Sequence, residues 1–221
     1  MIGTAITVFV GSRDFLHLSL KKWVFVPKGR ERIMVLPRDS VLIGMKFIET
    51  AIAGVYRIEL ERFHDERGFF AEAFQIEKFR SMGLEAEVAQ TNVSFNIKKG
   101  VIRGLHFQRL PKAQAKLIRC TRGSIFDVAV DLRKGSPTYK SWVGETLSEE
   151  NRTMLFIPAE GMAHGYQALG DQTEVEYIAF ELWAPETEGG YRYDDPAFGI
   201  EWPLNDAIVS EKDGAWAPFK E

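Results

Sequence analysis

One cysteine and four histidines among 221 residues narrow the chemistry at the outset. A lone thiol, Cys120, can form no intramolecular disulfide and no cysteine-based zinc cage. It sits among apolar residues, which predicts a buried, inert side chain. No apolar run approaches the ~20 residues needed to span a bilayer. The first ten residues are apolar but have neither the basic start nor the small-residue cleavage site of a secretory signal, so a cytoplasmic location is expected. Charge of neither sign dominates, with 28 basic and 31 acidic residues. No global basic field therefore points to nucleic acid or to a membrane surface. Internal repeats, low-complexity tracts and linkers are also missing.

What is present is an ordinary globular composition, 45% apolar and 27% charged, sufficient to close a full core in one large domain or two small ones. The charge is unevenly spread. Residues 1–44 hold seven basic residues against three acidic ones, a surplus of four; the remainder holds 21 basic and 28 acidic, a deficit of seven. That shift marks a boundary near Gly44-Met45. Apolar clusters at 23–26 and 33–36 have the makings of short strands, but the favoured reading of 1–44 is an appended N-terminal extension, with residues 45–221 as the domain.

From Met45 the signal is β. Residues 46–51 and 54–60 alternate loosely, and 68–74 is aromatic-rich. The spacing predicts one helix, over 76–84, with Ile76, Phe79 and Arg80 on one face and Gly83 as C-terminal cap. Strands are predicted at 101–108 and 115–121. After the Arg122-Gly123 turn comes 124–133, where Ile125, Asp127, Ala129 and Asp131 alternate with Phe126, Val128, Val130 and Leu132. Residues 142–147, 153–157, 165–169 and 173–183 continue the series. Turn signals every eight to twelve residues favour a β-sandwich or closed barrel over a βαβ arrangement. The tail from Pro185 is loop-rich and is expected to wrap back over the barrel.

The stretch with the most chemistry is Gly100-Val-Ile-Arg-Gly-Leu-His-Phe-Gln108, continued to Lys116. His106 lies mid-strand on the polar face it shares with Gln108. Arg103 has the opposite parity and joins His106 only if Gly104 bulges the strand. A histidine on the inner face of a barrel suits proton transfer, although taken alone such a histidine is more often structural. His17 and His64 read as solvated. A metal site of the cupin type needs three or four histidine or carboxylate ligands, often with two histidines close together on a strand. His106 has no such neighbour, and His164 lies in a separate Gly161-Met-Ala-His-Gly165 turn. Lys116, in an otherwise apolar strand start, is either an edge gatekeeper or a buried cation awaiting an anion. Tyr177 and Asp213 read individually as structural or solvent-facing; only the fold can bring these residues together.

Taken together, the segments resemble the dTDP-4-dehydrorhamnose 3,5-epimerase family of cupin-like nucleotide-sugar epimerases. The resemblance runs from about Met45 to Phe219. It rests on Asp65-Glu-Arg-Gly-Phe-Phe-Ala-Glu72, Gln90-Thr-Asn92, Arg103-Gly-Leu-His-Phe-Gln108 and Gln114-Ala-Lys116. Phe126-Asp-Val-Ala-Val-Asp-Leu-Arg133, Ile157-Pro-Ala-Glu-Gly-Met-Ala-His-Gly165 and Asp194-Asp-Pro-Ala-Phe-Gly-Ile-Glu-Trp-Pro203 complete it, all in order. The resemblance implies an all-β, cupin-type jelly-roll barrel, a homodimer that exchanges N-terminal strands, a nucleotide-sugar substrate inside the barrel, and no metal or organic cofactor. It implies His106 as base supported by Asp213, Tyr177 as acid on the other sugar face, and Lys116 beside the enolate. Arg67, Glu72, Gln90, Asn92, Arg103, His164, Glu188 and Lys212 would hold the nucleotide-sugar.

Three positions depart from the family pattern. Trp183 stands where a second tyrosine commonly stacks on the thymine; indole stacks equally well but lacks the hydroxyl. Gly189 replaces a common basic residue, and Tyr193 a common tryptophan. These changes leave open a relative that inverts only C3 or C5, or uses another nucleotide. A non-catalytic sugar-binding cupin and a metal-dependent cupin are the remaining alternatives.

Overall fold

The structure, a computed structural model, describes residues 24–28, 31–35 and 44–220. The chain divides into two compact units, Met1–Ser40 and Val41–Glu221. In the first, β1 (Val24–Lys28) pairs antiparallel with β2 (Glu31–Val35), so the apolar clusters noted there fall largely in strands. His17 lies outside the described residues.

The second unit opens with β3 (Met45–Glu49), β4 (Tyr56–Leu60) and a short hairpin of β5 (Phe63–Asp65) and β6 (Gly68–Phe70). Helix α1 (Ile76–Ser81) leads to β7 (Gln90–Asn96), β8 (Val101–Gln108), β9 (Lys116–Arg122) and β10 (Ser124–Asp131). β11 (Trp142–Ser148), β12 (Met154–Ile157), β13 (Met162–Ala168) and β14 (Thr173–Ala179) follow. The C-terminal stretch carries β15 (Glu188–Gly190), β16 (Ile208–Val209) and the single turn α2 (Glu211–Gly214).

Apart from the β5–β6 hairpin, these strands form two six-stranded sheets. One runs β11-β10-β13-β8-β15, with β16 parallel to β8; the other runs β3-β4-β12-β9-β14-β7. From β8 to β14 the chain crosses repeatedly between the sheets, as in a jelly roll. Strand alternation separates three apolar layers. Ile125 and Ala129 of β10 meet Ile118, Leu155 and Val175 of the other sheet between the two. On the outer face of the first sheet, Val128 and Val130 pack with Phe198 and, partly buried, Trp202 and Phe219. The tail therefore covers that face as expected, and this is why β10 is apolar on both sides.

Several boundaries differ from the sequence reading. The predicted helix stops at Ser81, and Gly83 takes the left-handed conformation just beyond it (φ +74°). Phe79 is fully buried among Phe47, Phe74, Phe156 and Phe180. Arg80, one residue and ~100° around the helix from it, is exposed and pairs with Glu77 and Glu87 rather than joining the buried face. The strand expected over 68–74 ends at Phe70, and that over 173–183 at Ala179. β7 was not foreseen, for a physical reason: Asn92, Ser94 and Asn96 alternate with Val93 and Phe95, which are exposed, so its apolar face is the outer one. Cys120 is buried, and burial pushes its thiol up to about 12, as an inert side chain requires. Among the described residues no helix is long and apolar enough to cross a membrane.

Candidate active site

A cavity of about 280 Å³ opens between the sheets. Its central strand is β8, which carries the anticipated bulge. His106 pairs with His164 and Arg103 with Tyr166, so Gly104 and Leu105 together oppose the single Gly165. Gly104 has φ +124°, and a Cβ there would lie 2.6 Å from the Cα of Gly165 and 2.7 Å from the His164 carbonyl oxygen. No side chain fits that approach. The extra residue changes the parity of the strand, and Arg103 and His106 both line the cavity.

His106 is held from the C-terminal end of the chain. Ser210 caps α2, its hydroxyl accepting from the Asp213 N–H, and fixes the Asp213 carboxylate behind the imidazole. His106 Nε2 lies 2.6 Å from Asp213 Oδ1, and the Gly104 N–H donates to Oδ2 at 3.3 Å. Burial works to raise the Asp213 carboxyl, but the hydrogen bond and charge of His106 and the Gly104 N–H hold it below the usual carboxylate range. An ionised carboxylate only accepts, so Nε2 carries the hydrogen and Nδ1 keeps its lone pair. The Trp216 indole stands edge-on to the ring at 6.3 Å. Gly190 makes room for it; a Cβ there would lie 2.3 Å from the indole.

The second sheet supplies Lys116 from β9 and Tyr177 from β14. Burial draws the Lys116 ammonium down to about 8, against the pull of Glu188 and Asp127. Burial pushes the Tyr177 phenol well above its ordinary value, and the neighbouring Tyr166 phenol adds to this. A second imidazole–carboxylate pair lies on the first sheet: His164 Nε2 is 2.7 Å from Asp127 Oδ1. Asp127 is wholly buried and its Oδ2 has no partner; burial raises this carboxyl, with His164 and Lys116 opposing. The cavity thus holds a basic nitrogen, a cation and a phenol, which is what removing a proton beside a carbonyl and returning one elsewhere requires.

Of the anticipated residues, His106, Lys116, Tyr177, Asp213, Asn92, Arg103, His164, Trp183 and Glu188 line this one cavity. Gln90 adjoins it, accepting from the Trp183 N–H at 2.7 Å and donating to Asn92 at 3.0 Å. Lys212 adjoins it through Glu188, donating to both carboxylate oxygens at 2.8 Å. Arg67 and Glu72 are not brought there. Arg67 sits exposed at the β5–β6 turn, paired with Asp65 at 2.5 Å, and Glu72 pairs with Lys78. Gly189 has a steric origin: a Cβ there would lie 2.6 Å from the Phe107 ring and 2.8 Å from the Arg109 guanidinium. Asp127, Ser94, Tyr166, Gln108 and Gln114 also line or support the site without having been singled out for it. Asp127 was legible as an acid among inward apolar residues of an alternating strand; Ser94 and Tyr166 gave no such signal. Among the described residues no three His, Cys, Asp or Glu side chains group to hold a metal.

The family model described as dTDP-4-dehydrorhamnose 3,5-epimerase matches residues 49–221. A dTDP-4-dehydrorhamnose 3,5-epimerase of Methanothermobacter thermautotrophicus is 51% identical over 179 residues, covering 80% of this chain and 95% of that protein. Among solved structures, the Bacillus anthracis enzyme of that name, with TDP and PPi bound, superposes at a TM-score of 0.76 with 40% identity over 79% of this chain and 99% of its own. A Legionella pneumophila dTDP-6-deoxy-D-glucose-3,5-epimerase in complex with dTDP-4-keto-L-rhamnose superposes at 0.73, with 41% identity over 78% and 91% of the two chains. The chain carrying this cavity belongs to the dTDP-4-dehydrorhamnose 3,5-epimerase family.

Proposed function

We propose that the cavity converts dTDP-4-dehydro-6-deoxy-D-glucose to dTDP-4-dehydro-L-rhamnose, with His106 as base and Tyr177 as acid. The observation that carries this reading is that the imidazole, from one sheet, and the phenol, from the other, line a single cavity together with Lys116. The complexes of the Bacillus and Legionella relatives, with TDP and with a dTDP-4-keto sugar, support the substrate class.

The chemistry follows from the C4 ketone. Nδ1 of His106 takes the proton from C5; the C–H pair becomes a C=C bond, and the carbonyl π pair moves to the C4 oxygen. Lys116 stabilises that oxyanion as it forms. Asp213 stabilises the imidazolium. Tyr177 returns a proton to C5 from the other face as the enolate collapses to the ketone, which inverts the carbon. The same sequence at C3 completes the reaction. Between events the imidazolium loses its proton and the phenolate regains one from solvent. Arg103, Lys212 and Trp183 suit the diphosphate and base.

Arg67 and Glu72 enter this reading through a homodimer in which the β5–β6 hairpin of a second copy reaches the cavity. Phe63, Phe69 and Phe70 on that hairpin and Val93 and Phe95 on edge strand β7 are exposed, which supports such an interface. Sedimentation should give twice the chain mass, and Arg67→Ala should raise KM; a monomer of full activity contradicts this part. For the reaction, purified protein is incubated with dTDP-4-dehydro-6-deoxy-D-glucose and the sugar is read by proton NMR. Inversion at C3 and C5 is expected, and an unchanged sugar contradicts the reading.

A further inference from the structure

Tyr177 ends a continuous line of hydrogen bonds that begins at a guanidinium. Arg103 Nε donates to Asn96 Oδ1 at 3.0 Å, and a guanidinium has only donors, so this contact assigns the amide. The opposite side agrees: Asn96 Nδ2 donates to the Thr173 carbonyl at 3.2 Å and to Tyr166 Oη at 3.0 Å. Tyr166 Oη can donate to Asn96 Oδ1 at 3.1 Å or to Ser94 Oγ at 2.7 Å, and with its hydrogen on the shorter contact the line is continuous. Ser94 in turn has its hydrogen for Tyr177 Oη at 3.4 Å. In that arrangement every donor in the line points toward Tyr177.

That common direction has two consequences. Tyr177 Oη accepts from Ser94, so its own hydrogen is left for the cavity. When the proton leaves, a phenolate forms at a half-buried position, where a charge without donors is costly. Ser94 then supplies a donor, polarised by Tyr166, by Asn96 and finally by the Arg103 charge, because hydrogen bonds aligned in one sense strengthen one another. The 3.4 Å contact can shorten as the negative charge develops. Tyr166 and Asn96 are fully buried, which keeps water from replacing these donors.

The geometry points to Ser94 and Tyr166 as positioning residues for the acid: Tyr166 orients the Ser94 hydroxyl, and Ser94 in turn orients the Tyr177 hydroxyl and donates to the phenolate it leaves. This rests on Tyr177 being the proton donor. The test measures kcat, KM and deuterium exchange for Ser94→Ala, Ser94→Thr, Tyr166→Phe, the Ser94→Ala/Tyr166→Phe double variant and Tyr177→Phe, with melting curves to establish that each is folded. Ser94→Ala and Tyr166→Phe should each lower kcat about tenfold with little change in KM. Ser94→Thr keeps the hydroxyl and should retain most of the rate. The double variant should be no slower than the slower single one, because either change breaks the same line.

Folded single variants with wild-type kcat, or a loss confined to KM, overturn the inference while an impaired Tyr177→Phe leaves the acid assignment intact. Wild-type turnover by Tyr177→Phe overturns that assignment itself, and with it the role given to the line behind it.

Discussion

Two imidazole–carboxylate pairs of nearly the same length, 2.6 Å for His106–Asp213 and 2.7 Å for His164–Asp127, present their imidazoles to the cavity from different surroundings. Asp213 has a donor on each oxygen, and His106 and Gly104 hold its carboxyl low against the effect of burial. Asp127 has one partner, a bare second oxygen and a carboxyl raised by burial. The His106 side chain is 29% exposed and that of His164 only 7%. A base that must gain and lose a proton each turnover needs a charged support and a route to solvent. The first pair offers both, and the second offers a fixed, dry hydrogen-bonding wall. Geometry alone does not separate the two; environment does.

The comparison breaks most severely at His106. His106→Ala should lower turnover by ~10⁴-fold while circular dichroism and melting show an intact fold. His164→Asn should stay well above that level, and equal losses in the two variants would erase the distinction. Asp213→Asn should follow at roughly 10³-fold, because an amide in that place permits the wrong imidazole tautomer.

Lys116, which feels Asp127, sharpens the contrast. Lys116→Met should cost about 10²- to 10³-fold in kcat. It should also leave the protein more stable at neutral pH. The lysine sits near 8 in the folded chain and near 10.5 when unfolded, so below about pH 8 the fold bears the full cost of a buried ammonium. Between these values the unfolded state binds more protons, and wild-type stability gains from this residue as pH rises. The advantage of Lys116→Met in urea melts should therefore be largest below pH 8 and fade toward pH 10.5, and the wild-type rate should fall on the alkaline side near 8. A variant advantage that grows with pH contradicts the sign. The smallest effect belongs to Asp127→Asn, about tenfold or less, since burial opposes its charge and its second oxygen has no donor to lose; a loss matching that of Asp213→Asn would make the pairs equivalent.

How much of this was legible in the sequence depended on distance along the chain. His106 and Lys116 lie on consecutive strands, and the parity of Arg103 set a condition, a bulge at Gly104, under which it would share a face with His106; the strand meets that condition. Asp213 is 107 residues from His106, and no spacing joins them; only the family pattern did. β7 escaped because its apolar residues face outward, the reverse of an ordinary half-buried strand. Ser94, Tyr166 and Asn96 are common polar residues whose meaning comes from pairing across β7, β13 and β14. Arg67 and Glu72 were named from the family pattern, and within one chain they stay on or near the β5–β6 hairpin.

The most direct test of two-faced proton transfer is turnover of dTDP-4-dehydro-6-deoxy-D-glucose in deuterium oxide, with label followed at each carbon by NMR. The wild type should take up deuterium at both C3 and C5 as the sugar inverts, and His106→Ala should take up none. Tyr177→Phe should exchange without completing the inversion. Deuterium entering at the wild-type rate in His106→Ala, or inversion at either carbon without label, would contradict the account.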